Sequence, residues 1–164
     1  MSRLIVKYQD RIYNTILKIC NNSDDAAELT QDTFVKVLEH IADFRGKSSF
    51  YTWLFRIAVN ETINFCRRRF KVVSQSLDGE LPNPADMASS DPVRLAQQKE
   101  VIALLSEAIG RLDDDHRVVI VLRDIEQMSY SQIAETLGLE MGTVKSRLSR
   151  ARAMLREILE TVLT

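Results

Sequence analysis

The residues of this chain best suited to chemistry are cations and aromatics, concentrated in two places. Between Thr143 and Arg156 lie Lys145, Arg147, Arg150, Arg152 and Arg156, with no acid among them. Ordinary exposed helix faces mix signs, so this run is suited to neutralising phosphates. A net charge of −1 does not argue against that, because nucleic-acid affinity depends on where charge sits. In the second place, Phe44, Phe50, Tyr51, Trp53 and Phe55 are interleaved with Arg45, Lys47 and Arg56. Bases leaving a duplex can stack on such rings while cations hold the backbone. The competing reading is plain core packing, since Phe50 and Trp53 stand at core spacing. Asn60 and Asn64 follow one helical turn apart, then Arg67 and Arg68. Asparagine can bond base edges as donor and acceptor, and it fits a solvated face equally well.

The elements that must position these residues read as helices throughout. Leu4, Tyr8, Ile12, Ile16 and Ile19 recur at three- and four-residue steps, marking one helix face. Asp25 and Glu28 form a D-x-x-E pattern read as a capping box for a second helix, with Phe34, Val37, Leu38 and Ile41 inward. Ser49 is placed to cap a third helix that buries Trp53, Leu54, Ile57 and Ala58 and ends on the basic run Arg67–Arg69, where cations suit the helix dipole. Further on, Leu95, Ile102, Leu105, Ile109 and Leu112 mark another helix, and Asp113 opens a short one around Val118, Val119, Val121 and Leu122. The valine run has no partner strand, and the expected fold is all-α.

All three prolines, Pro82, Pro84 and Pro92, fall in one Ser/Asp/Asn-rich stretch that no long helix can cross. The expected organisation is a helical domain over 1–71, a flexible acidic linker over 72–93 and a second helical domain over 94–164. In the second domain Ser129 and Gln132 make a capping box for a helix burying Ile133, Ala134 and Leu137. Gly138 stands where a left-handed residue ends it, and Leu139 anchors the turn. A longer helix follows with Val144, Leu148, Ala151, Leu155 and Leu159 on its buried stripe. Lys145, Arg152 and Arg156 line one flank, Arg147 and Arg150 the other, and Thr143, Ser146 and Ser149 the outer face. A short helix, a glycine-ended turn and a longer basic helix are the parts of a DNA-reading helix-turn-helix.

Other functions find little support. Cys20 and Cys66 are the only cysteines, with no CxxC and two histidines in the chain, so a disulfide framework and a zinc knuckle are excluded; both thiols are expected in the core. Asp113, Asp114, Asp115 and His116 could suggest a small enzyme, but sequential side chains diverge around a helix start, and no phosphate loop, metal-ligand spacing or nucleophile motif occurs. No enzyme activity, cofactor or metal is expected. The N-terminus lacks a signal peptide's apolar middle and no apolar run suffices for a membrane helix, so a cytoplasmic protein without membrane insertion is expected.

Together, DDAAELTQDTFVKVLEHI, DFRGKSSFYTWLFRIAVNETINFCRRR and LDDDHRVVIVLRDIEQMSYSQIAETLGLEMGTVKSRLSRAR resemble the extracytoplasmic-function (ECF) sigma factors of bacterial RNA polymerase over nearly the whole chain. The resemblance implies two helical domains on a flexible linker, with polymerase clamp helices and flap as docking partners. On the first domain, Asp25, Glu28, Gln31, Asp32 and Lys36 match the clamp-docking stretch. Phe44, Arg45, Lys47, Phe50, Tyr51, Trp53, Arg56, Asn60, Asn64 and Arg67 would open and read the −10 element, capturing a base outside the stack. On the second, Thr143, Lys145, Ser146, Arg147, Ser149, Arg150 and Arg152 would read the −35 element as duplex, with Arg123 on the backbone. An anti-sigma protein is implied as a further partner. The chain departs from the family pattern in three ways: it starts close to the first helix, Leu112–Arg117 lacks the usual proline, and Lys145 stands where arginine is also common. The alternative reading is a helix-turn-helix regulator that binds duplex DNA without joining polymerase.

Overall fold

The computed structural model describes residues 2–73 and 94–163. Its described residues are helical with no strand, as the periodicity requires. Contacts divide the chain into two units, Met1–Pro82 and Asn83–Thr164. The linker expectation over 72–93 lies almost wholly outside the described residues, since α3 runs to Val73 and α4 begins at Arg94.

The first unit is a three-helix assembly of α1 (Ser2–Cys20), α2 (Ser23–His40) and α3 (Phe50–Val73), each packed on the other two. Its core is Ile12, Ile16, Ile19, Leu29, Phe34, Val37, Leu54, Ala58 and Val59. Three buried threonines sit among these apolar side chains without orphaned hydroxyls. Thr15, Thr33 and Thr62 each donate to the carbonyl four residues back, at 3.0, 2.7 and 2.8 Å. The α1–α2 corner is made by two asparagines. Asn21 ends α1 in the left-handed region (φ 56°), with its N–H on the Leu17 carbonyl, a conformation asparagine tolerates better than most. Asn22 then caps α2 by accepting from the Asp25 N–H at 2.9 Å. This corrects the expected D-x-x-E box, because α2 begins earlier, at Ser23, and the shorter asparagine side chain already takes the Asp25 donor. A 3₁₀ turn over Ile41–Asp43 leads into the loop before α3. There Ser49 Oγ accepts from the Thr52 N–H at 3.1 Å, as the sequence anticipates.

Two expected core positions in this unit lie outside it. Leu4 is exposed near the free end of α1, and Leu38 (44% exposed) points away from both neighbours of α2. Cys20 and Cys66 are buried and share no disulfide, and burial above all raises the Cys20 thiol above its ordinary range.

The second unit is organised by α7 (Met141–Leu163), against which α4 (Arg94–Gly110), α5 (Asp114–Ile120) and α6 (Tyr130–Leu137) all pack. Ile109, Leu112, Val118–Leu122, Ile133, Val144, Leu148 and Ala151 form its core. The valine run is helical, continuing from α5 into one π turn over Val121–Ile125. Asp113 caps α5 through the His116 N–H at 3.0 Å. The Ser129–Gln132 capping box is present in both directions, and Gly138 ends α6 at φ 64°, the left-handed geometry glycine adopts most cheaply. Ile102 and Leu105 depart from expectation: they are exposed, with Val101, on an α4 face that no other described helix of this unit covers, and Leu137 is only half-buried.

The corner between α4 and α5 is held by a buried arginine. Arg117 donates through Nε to the Ile109 carbonyl (3.3 Å) and through Nη2 to the carbonyls of Gly110 (3.2 Å) and Leu112 (2.5 Å). Its Nη1 reaches Asp114 at 3.1 Å. One guanidinium thus serves the last two carbonyls of α4 and the Leu112 carbonyl in the corner beyond it.

Candidate nucleic-acid interface

In the first unit the aromatic residues form one connected network. Phe44 meets Trp53 (5.3 Å between centroids) and Phe50 (5.8 Å, edge-on), and Phe50 meets Trp53 at 5.9 Å. Tyr8 joins Phe50 and Tyr51, and Tyr51 joins Phe55. Phe55 is buried, whereas Phe44, Phe50, Tyr51 and Trp53 are half-buried, each keeping some surface open. The rings pack on one another, as the core reading has it, and four of the five keep part of their surface accessible. Arg45 and Lys47 are exposed beside them, in a loop turned by Gly46 at φ 69°. Arg56 is half-buried, and Asn60, Asn64 and Arg67 are exposed at successive turns of α3. Tyr8 reads in the sequence only as part of the first helix's apolar face, and Arg11 gives no signal there; the Arg11 guanidinium lies 4.3 Å from the Tyr51 ring centre.

Charge separates sharply within this unit. α2 carries five acids against the single cation Lys36, whereas α3 carries five cations against the single acid Glu61. Two of the residues matched to polymerase docking are engaged across that divide. Asp25 accepts from Arg69 at 2.6 Å, and Lys36 pairs with Glu61 at 2.5 Å. Glu28, Gln31 and Asp32 are exposed, beside Val35 (52% exposed) and Leu38. An acidic face with two apolar side chains in its middle is a surface suited to a protein partner and poorly suited to phosphate.

In the second unit α7 presents Lys145, Ser146, Ser149, Arg150, Arg152 and Arg156 to solvent, with Thr143 half-buried at its start. Ser146 Oγ donates to the Thr143 carbonyl at 3.0 Å. The cations are not equivalent. Arg147 is half-buried and pairs with Asp115 at 3.3 Å. Arg152 makes a two-pronged contact to Asp124, Nε to Oδ2 at 3.1 Å and Nη2 to Oδ1 at 2.5 Å. That contact raises its guanidinium further above the ordinary range. Among the described residues, Lys145, Arg150 and Arg156 make no ion pair. Arg123, half-buried on the π turn, donates to the Met128 carbonyl at 2.7 Å. Its guanidinium lies 4.8 Å from the Tyr130 ring centre, and the Lys145 ammonium lies 5.8 Å from the same centre.

The acidic run at the start of α5 does not converge. Asp113 takes the His116 backbone and ring nitrogens, Asp114 takes Arg117 and Asp115 takes Arg147. Among the described residues no group of three or more His, Cys, Asp or Glu could hold a metal, and no helix is long and apolar enough to cross a membrane.

Comparison with known proteins agrees with this geometry. The family model for Sigma-70 region 2 matches residues 4–71, and that for Sigma-70, region 4 matches residues 102–155. The RNA polymerase sigma-H factor of Pseudomonas aeruginosa is 31% identical, with 98% of this chain and 86% of that protein covered. The RNA polymerase sigma factor YlaC of Bacillus subtilis is 34% identical over 92% of this chain and 87% of its own. Among solved structures, the sigma factor RpoE in complex with the anti-sigma factor NepR from Bartonella quintana superposes with a TM-score of 0.73 at 28% identity, covering 97% and 96% of the two chains. With two sigma domains in order and full-length relatives above 30% identity, the chain belongs to the ECF class of RNA polymerase sigma factors.

Proposed function

We propose that this sigma factor divides promoter reading between its two units. The helix-turn-helix takes the −35 element as duplex, and the aromatic network of the first unit takes the −10 element as a parted strand. The observation that carries the proposal is the network Phe44–Phe50–Trp53, joined to Tyr51 through Tyr8: rings held in place by each other and partly open, with Arg45 and Lys47 in the adjoining loop and Asn60, Asn64 and Arg67 exposed further along α3. Rings fixed in this way can stack a base without first losing their own rotamer freedom, and each stacked base is worth about 1–3 kcal/mol. On α7, Thr143, Lys145, Ser146, Ser149 and Arg150 supply donors and acceptors for base edges, and Arg123 and Arg147 supply backbone contacts, while Arg152 stays on Asp124.

Polymerase docks on the acidic α2 face through Glu28, Gln31 and Asp32, with Val35 and Leu38 as apolar anchors. Asp25 and Lys36 contribute mainly by fixing α2 on α3. Docking on the clamp helices and the flap makes the two DNA contacts effectively intramolecular, so that two modest affinities combine. An anti-sigma protein covering such surfaces would keep the factor from polymerase; the likeness to a sigma factor solved with its anti-sigma partner supports this.

Trp53 is the only tryptophan in the chain, so its fluorescence reports on the network directly. With core polymerase bound, a single-stranded oligonucleotide bearing the non-template −10 sequence should quench Trp53. Trp53→Ala should lower open-complex formation by roughly ten- to a hundredfold while leaving co-elution with core polymerase intact. Co-elution without quenching, and normal opening by the variant, would remove the strand-reading role. Failure to co-elute at all would return the protein to the regulator reading.

A further inference from the structure

Tyr130 is the only aromatic residue beyond Phe70, and it opens α6 at the entrance to the helix-turn-helix. Around it gather three cations from separate positions on the fold. Arg123 and Lys145 both lie over its ring, at 4.8 and 5.8 Å from the centroid. Arg152 is held by both oxygens of Asp124. That carboxylate is the main cause of the raised Arg152 guanidinium, with burial opposing and the Tyr130 phenol adding to the rise. Three like charges drawn together repel one another. The negative face of one ring and the single carboxylate of Asp124 offset that repulsion here.

The consequence falls on Lys145. A lysine is a compact charge on a flexible four-carbon stem, unlike the planar fork of arginine. Left free on a helix facing DNA, it settles on whichever phosphate is near and carries no sequence information. Held over a ring, its ammonium keeps a fixed place relative to α7, and less side-chain freedom is lost on binding. We infer that Tyr130 is the positioning residue for base selectivity at Lys145, its ring holding the ammonium where it meets a base edge and not the phosphate backbone. This rests on the duplex-reading role proposed for α7.

Two measurements test it. In the full-length chain free of DNA, the ε-methylene protons of Lys145 should be shifted upfield by the Tyr130 ring current. Tyr130→Phe should keep the shift and Tyr130→Leu should abolish it; wild-type resonances at ordinary lysine positions would overturn the inference whatever the variants do. The second uses holoenzyme, assembled with core polymerase, to select upstream duplexes from a randomised library. Tyr130→Leu should flatten base preference at one or two positions by roughly two- to tenfold while the dependence of binding on salt stays unchanged. Tyr130→Phe should retain the preference, and Tyr130→Leu combined with Lys145→Ala should be no flatter than Lys145→Ala alone. A Tyr130→Leu profile identical to wild type, a Tyr130→Phe profile as flat as the leucine variant, or strict additivity of the double variant would each overturn the assignment. If wild-type holoenzyme itself enriches no upstream sequence, the duplex-reading role fails, and the inference falls with it for that separate reason.

Discussion

Arg117 gives the sharpest test of how the second unit is built. The residue is 7% exposed, and its guanidinium serves the carbonyls of Ile109, Gly110 and Leu112 together with Asp114. Arg117→Met preserves most of the volume but removes every donor. Losing a donor to a buried carbonyl costs about 1–3 kcal/mol. The Ile109 carbonyl also accepts from the Leu112 N–H, so its loss is the mildest of the three. The Asp114 pair is partly exposed and worth about 0–1 kcal/mol. Against these stands relief from keeping a charge out of water, which makes some buried ion pairs dispensable. That relief does not supply the orphaned carbonyls with new donors, so the net expectation is a loss of about 2–4 kcal/mol. Amide hydrogen exchange in the full-length chain reads this with the first unit as internal control. The slowest amides of α5 and α7 should exchange roughly 30- to 700-fold faster, while those of α1–α3 stay unchanged. Arg117→Lys should recover only part of the protection, since one ammonium cannot span three carbonyls. Wild-type protection in Arg117→Met would refute the reasoning and show that the corner holds without its guanidinium.

Other expectations follow from single contacts. Asp124→Asn should release Arg152 to phosphates, steepening the fall of duplex affinity with salt by roughly 0.9 in log–log slope per added contact; an unchanged slope in titrations of the full-length chain would mean Arg152 already reaches DNA. Gln127 sits at φ 57°, where an L side chain is strained, and Gln127→Gly should stabilise the second unit by about 1 kcal/mol in denaturant unfolding, less what its bond to the Asp124 carbonyl contributes. Burial works to raise the Asp113 carboxyl, but hydrogen bonds from the His116 ring and backbone outweigh it and hold the group below its ordinary range. A carboxyl lowered by folding contributes stability above its unfolded range and loses it as pH falls through the folded value. Stability of the second unit should therefore drop on acidification, and Asp113→Asn should flatten that dependence in thermal melts across the acid range.

What the sequence could determine alone is what residues three or four apart decide. The Ser129–Gln132 box, the Asp113 and Ser49 caps, the left-handed Gly138 and the stripe Val144–Leu148–Ala151 are all satisfied within a turn of helix, so their spacing is their geometry. The D-x-x-E pattern at Asp25 failed for a local reason too: Asn22 offered a nearer acceptor, and composition could not rank the two. The cluster at Tyr130 is not legible in the sequence, because Arg123 and Lys145 lie seven and fifteen residues away on other elements. Only the tertiary structure decided which charges are spoken for. Arg69 finds Asp25 across 44 residues and Arg152 finds Asp124 across 28, so cations that look alike in the sequence divide into those held within the fold and those left facing outward. Exposure of Ile102, Leu105 and Leu38 belongs to the same class. A helix's apolar period fixes a face, but the neighbours brought in by the rest of the chain determine how much of that face is covered.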